Sequence, residues 1–175
     1  MGWDAVKPTK SGIFSRIFGG ESEDIDLDAS CMMFDNSGNL IDFVWFNKLH
    51  STCRSIIHSG DNLTGEGEGD DEVIHVDLQA LPRMVSSLVF TINSFRGQTF
   101  ENVENAFVRL VDCDTKQEIA RYNLSKCGPY TGMIMAIIRR EGTDWTMEAL
   151  GIPTNGQTVR DMVPTVTSMT SVSGQ

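Results

Sequence analysis

The sequence predicts a mainly β protein, a β-sandwich of two antiparallel sheets with a few short helices. Three observations carry that prediction. Short apolar or alternating segments recur along the chain between turn signals, at the spacing of sandwich strands. DNSGN and CDTKQ, beginning at Asp35 and Cys113, are hairpin signals. FVWF, LVFTI and MIMAII are continuous apolar runs, suited to strands covered on both sides or to aromatic-rich faces of a packed sheet pair. A length of 175 residues with 40% hydrophobic content suits one domain with short appendages. The expected organisation is an N-terminal segment over 1–20, the sandwich over 21–164 and a frayed tail over 165–175.

Residues 1–20 are mildly basic, with Lys7, Lys10 and Arg16 against Asp4. Ile13, Phe14, Ile17 and Phe18 recur at helical spacing, so 11–18 reads as two amphipathic turns with Ser11 as N-cap and Gly19 as stop. Such a piece either tucks onto the domain or meets a membrane or partner through its apolar side. From Glu21 the composition turns acidic in ESEDIDLDAS. In a strand, side chains two apart share a face, so Asp26 and Asp28 project together while Ile25, Leu27 and Ala29 face the other way. Like charges set side by side are unfavourable without a cation, so the pair is expected to meet the acids of the GDN and GDDE segments.

The remaining strands are expected at 29–34, 41–47, 54–58, 73–78, 87–93, 104–111, 117–122, 132–139 and 144–150. Short helices are expected at 81–86, after the Leu81-Pro82 step, and at 158–163, ending before Pro164. The residues after Pro164 read as frayed.

The stretch from Gly60 to Glu72, GDNLTGEGEGDDE, carries six carboxylates and four glycines and no Lys, Arg or His. Glycine lets the backbone turn tightly and aim carbonyl oxygens inward, while Asp61, Glu66, Glu68, Asp70, Asp71 and Glu72 supply anionic oxygens that repel one another. Composition alone reads equally as a solvated turn; the density of like charge argues for a hard cation. Calcium accepts such loose oxygen cages, whereas magnesium demands a strict octahedron. The loop is no EF-hand, because Leu63 and Gly65 stand where ligand oxygens are needed and Glu66 where the glycine is required.

A net charge of −10 with no basic stripe argues against nucleic-acid binding. Cys31, Cys53, Cys113 and Cys127 form no C-x-x-C pair, and His50, His58 and His75 no zinc pattern. There is no G-x-S-x-G elbow and no Walker lysine. The chain is therefore expected to be no enzyme; the alternative is a metal-dependent hydrolase using the clustered carboxylates, with Arg54 and His58 the nearby candidates for its other groups. Cys53 beside Arg54 suggests a reactive thiol only weakly. With no evident signal peptide and no apolar run of transmembrane length, a cytoplasmic location is the expectation.

Taken in order, GWD near the start, IDLDAS, FNKLHS, HSGDNLTGEGEGDDEVIHVDL, ENVENAFVRLVD and DWTMEALG resemble the tellurium-resistance TerD family over nearly the whole chain. The resemblance implies a calcium-binding β-sandwich of the cytoplasmic bacterial stress response, linked to tellurite resistance, phage inhibition and colicin tolerance, with no known catalytic activity. It implies one or two calcium ions at Asp26 and Asp28, Asp61 and Asn62, and Asp70, Asp71 and Glu72, with carbonyl oxygens of Gly65 and Gly67 completing the shell. It further implies partners among other tellurium-resistance proteins or membrane-associated complexes. Family members usually carry a strand before GWD, whereas Met1 stands directly ahead of it here, which leaves two alternatives open, a missing edge strand or a trimmed chain. The end of the chain reads GIPTNGQTVRDM in place of a glycine-and-tyrosine-rich pattern.

Overall fold

A computed structural model describes residues 1–4, 25–63, 69–125 and 127–172. Ten strands and one α-helix follow in order: β1 (Gly2–Asp4), β2 (Leu27–Phe34), β3 (Leu40–Val44), β4 (Ile56–His58), β5 (Ile74–Val76), β6 (Ser87–Ser94), β7 (Glu104–Val111), β8 (Glu118–Asn123), β9 (Gly132–Glu141), β10 (Asp144–Thr154) and α1 (Val159–Val172). Each strand expected from apolar patterning has a counterpart, and β1 is additional. The helix expected at 11–18 lies outside the described residues.

The strands form a five-stranded antiparallel sheet in the order β10-β9-β6-β2-β3, a three-stranded sheet β1-β7-β8 and a β4-β5 hairpin. The alternation along β2 explains why one sheet needs several covers. Leu27 and Ala29 pack against Trp3 of β1 and Ala106 and Val108 of β7. Cys31 and Met33, farther along the same face, are beyond that layer and are covered by Ile56 of β4 and Ile74 and Val76 of β5. Two small sheets thus share the work expected of one. On the opposite face, Met32 and Phe34 pack against Val159, Met162 and Val166 of α1.

Two expectations about helices are corrected. Residues 81–86 form a turn, with Val85 N–H donating to Pro82 C=O at 3.0 Å. The Arg140 guanidinium takes the Leu81, Pro82 and Val85 carbonyls, so a side chain replaces the helical ladder there. Conversely, α1 runs straight through Pro164 instead of ending before it. An interior proline costs about 3 kcal/mol, but Pro164 sits on the exposed side while Val159, Met162 and Val166 bury the other. Burying such side chains contributes roughly 1.5–3 kcal/mol each, which outweighs the lost bond. The start is capped by Asp161, whose carboxylate accepts from Gln157 N–H at 3.0 Å and Thr158 N–H at 2.9 Å.

Candidate metal centre

β3 stops at Val44, opposite Cys31, so the next outward-facing backbone groups of β2, those of Ala29, lack a neighbouring strand. Two side chains replace it. Ala29 N–H donates to Glu72 Oε2 at 2.7 Å, and Ala29 C=O accepts from His58 Nε2 at 3.1 Å. His58 Nδ1 in turn accepts Gly60 N–H at 3.1 Å, which places the ring hydrogen on Nε2. This anchoring brings the turn after β4 and the segment before β5 against the start of β2. Gly60, at φ 122°, allows the chain to bend out of β4 into Asp61, a conformation a side chain would strain.

Asp26, Asp28 and Asp61 then converge: one oxygen from each lies within 4.8 Å of the others. Asp26 and Asp28 are only 2% and 3% exposed, while Asp61 is exposed and opens the cluster to solvent. Asp26 Oδ1 and Asp28 Oδ2 are buried without a hydrogen-bond partner. Burial pushes the Asp28 carboxyl up to about 8, with Glu72, Asp26 and Asp61 adding repulsion. Burial likewise raises Asp26 to about 6, reinforced by Asp61 and opposed by Arg96, whose Nε lies 3.7 Å from Asp26 Oδ2. Buried acceptors without donors, in a field of like charge, could hold a hard cation such as calcium.

The other sequence candidates surround this cluster in different roles. Asn62 Nδ2 donates to Asp71 Oδ1 at 2.9 Å, and Asp71 Oδ2 accepts Trp3 N–H at 2.9 Å. Glu72 braces β2, and its charge bears on both Asp26 and Asp28. Asp70 is held by Arg109, with Nε and Nη2 at 2.9 and 2.8 Å. Burial alone would raise the Asp70 carboxyl, but Arg109 together with the N-terminal ammonium of Met1, 3.7 Å away, outweighs it and holds the value below the usual range. Gly65 and Gly67 lie outside the described residues. Arg54, one of the groups considered for a hydrolase, is exposed in a turn, and His58 is committed to the backbone.

Patterning missed Arg96 and Arg109, because nothing local marks a cation that meets acids far away in sequence. It also missed Trp3, which locks the site's entry strand: its indole Nε1–H donates to Ile25 C=O at 2.8 Å, one residue before Asp26. GWD was legible as a motif, but its indole contact was not.

Among the described residues, no helix is long and apolar enough to cross a membrane. The chain is 52% identical over 162 residues to tellurium resistance protein TerZ of Serratia marcescens, covering 93% of this chain and 82% of that protein. It is 39% identical to stress response protein SCP2 of Bacillus subtilis, covering 93% and 85%. A crystal structure of a homologue of the telluride resistance protein TerD from Streptomyces coelicolor superposes with a TM-score of 0.74 at 16% identity, over 93% of this chain and 90% of that one, which shows a shared fold. These relatives are named for resistance and stress response and not for a catalysed reaction. The TerD domain model matches residues 1–164, and the chain belongs to the TerD family.

Proposed function

We propose that this protein is a calcium-binding stress-response module of the cytoplasm, in which the ion ties the start of β2 to the GDN turn and so sets the shape of a partner surface. The observation that carries the reading is the Asp26, Asp28 and Asp61 cluster with its two unpartnered buried oxygens. Asn62, Asp71 and Glu72 support the loops around it, and the exposed side at Asp61 leaves room for water or for backbone oxygens of the glycine-rich stretch. The names of the relatives support a role in resistance to tellurium compounds. Phage inhibition and colicin tolerance belong to the same proposed stress role. The partners we propose are other tellurium-resistance proteins or membrane-associated complexes. No catalytic step is part of the reading.

Calcium titration of metal-stripped protein tests it. A ligand bound only by the folded state stabilises by about 2.7 kcal/mol at a hundred times its dissociation constant, which corresponds to a melting temperature about 5–10 °C higher for a domain of this size. Identical melting curves in calcium and in chelator would overturn the proposal.

The metal-free protein should also show an unusual pH dependence. The folded-state values of about 6 for Asp26 and about 8 for Asp28 lie above the ordinary 3.8. The folded state therefore holds protons that the unfolded chain has released, and its stability is greatest below about pH 4 with respect to these groups. That contribution is lost as pH rises through about 6 and then about 8. Melting of stripped protein should accordingly fall between pH 5 and pH 8, and saturating calcium should flatten the decline; a rise over that interval would contradict the buried-carboxylate account.

A further inference from the structure

The two loops that meet at Asp26 each carry an exposed apolar side chain. After β6 ends at Ser94, the chain makes a tight turn in which Gly97 N–H donates to Ser94 C=O at 3.1 Å. Phe95 and Arg96 are the central residues of that turn, so their side chains stand at its tip. The turn is fastened to the acidic cluster through its backbone, since Phe95 N–H donates to Asp26 C=O at 2.9 Å. Arg96 Nε lies 3.7 Å from Asp26 Oδ2, and the rest of its side chain is exposed. On the second loop, Leu63 follows Asp61 by two residues, and Asn62 between them is tied to Asp71. Phe95 is 42% exposed and Leu63 50%.

Phe95 is held outward by a stack rooted in the core. Its ring meets Phe46 edge-on at 5.4 Å, Phe46 meets Trp45 at 4.6 Å, and Trp45 packs in the core with Val159 and Met162 of α1. Single exposed apolar side chains are ordinary on a protein surface. Here two of them flank one centre, beside an arginine and buried carboxylate oxygens that have no hydrogen-bond partner.

We propose that Phe95, Arg96 and Leu63 dock the protein on an anionic phospholipid bilayer when the centre holds calcium. The proposal rests on the calcium reading above, whatever the number of ions. With the centre empty, Asp26, Asp28 and Asp61, on a chain of net charge −10, repel anionic headgroups. Calcium reverses the local sign. On the exposed side at Asp61, headgroup phosphate and carboxylate oxygens then enter its large oxygen shell. Phe95 and Leu63 sink into the boundary between headgroups and acyl chains, and Arg96 extends toward the phosphates. Protruding tips suit a bilayer, which deforms around them, whereas a folded protein partner needs a pocket matched to each anchor.

Cosedimentation of the full chain with phosphatidylcholine vesicles, with and without phosphatidylserine, in calcium and in chelator, tests the proposal alongside melting curves. Sedimentation is expected only with phosphatidylserine and calcium together. Phe95→Ser should weaken it roughly tenfold or more while the calcium-dependent rise in melting temperature stays. Leu63→Ser should add to the loss, and Phe95→Trp, which keeps an interfacial aromatic, should retain binding. No sedimentation in calcium, with the melting rise intact, would overturn the docking proposal alone; absence of both would overturn the calcium reading with it. Sedimentation that persists in chelator, or that the double variant Leu63→Ser, Phe95→Ser leaves undiminished, would place the membrane contact elsewhere on the chain and overturn the proposal equally.

Discussion

Asp28→Asn is expected to raise the melting temperature of the metal-free protein and to abolish its increase with calcium. In the empty site the Asp28 carboxyl is 3% exposed and faces Glu72, Asp26 and Asp61, so each stage of its ionisation works against the fold. The amide has nearly the same shape, carries no charge, and brings two N–H donors to a region where Asp26 Oδ1 lacks one. Relief of that repulsion stabilises the empty form. Under the proposed reading calcium loses one of its two buried anionic ligands, so the gain of about 2.7 kcal/mol expected at hundredfold saturation should vanish. Few substitutions move the two forms in opposite directions, and paired melting curves read both at once. A calcium response equal to that of the native protein would remove Asp28 from the ligand set, and a less stable metal-free variant would show that its charge is already balanced by the protein.

Trp3→Ala should be the most damaging single change in the described core. Trp3 is 2% exposed and packs with Leu27, Ile92 and Met133, and truncating such an aromatic costs about 3–5 kcal/mol. Trp3→Phe separates packing from hydrogen bonding. A smaller aromatic ring keeps most of the packing, Ile25 C=O loses its indole donor, and an unsatisfied buried acceptor costs roughly 1–3 kcal/mol. Because Ile25 adjoins Asp26, the Phe variant should also bind calcium more weakly, by an amount that calorimetric titration measures directly. Urea midpoints give the stability term. Unchanged midpoint and affinity in Trp3→Phe would reduce the indole bond to a bystander.

The local readings succeeded where the physics is local. The period-two pattern of IDLDAS put Asp26 and Asp28 on one side of a strand, and the structure places them there beside Asp61. Apolar runs located β6 and β9 because a strand buried on both faces has no polar period to obscure it. Asp70 shows the limit. Sequence grouped it with its acidic neighbours, whereas the fold turns it toward Arg109, 39 residues away, and neutralises it there. Leu81–Ser86 failed for a similar reason, since Arg140 arrives from β9 to take the carbonyls a helix would have used.

What the amino-acid order settled unaided was the strand framework, the same-side pairing of Asp26 and Asp28, and the acidic glycine turn, because each follows from backbone geometry over a few residues. Only the tertiary structure chose Asp61 from among the described loop acids, set Glu72 and His58 in place of the strand that Ala29 lacks, and stranded Ser30, Thr91 and Asn93 beneath α1. Those outcomes depend on which charges and orphaned hydrogen-bonding groups meet after burial, where water is excluded and each group must find its partner within the protein.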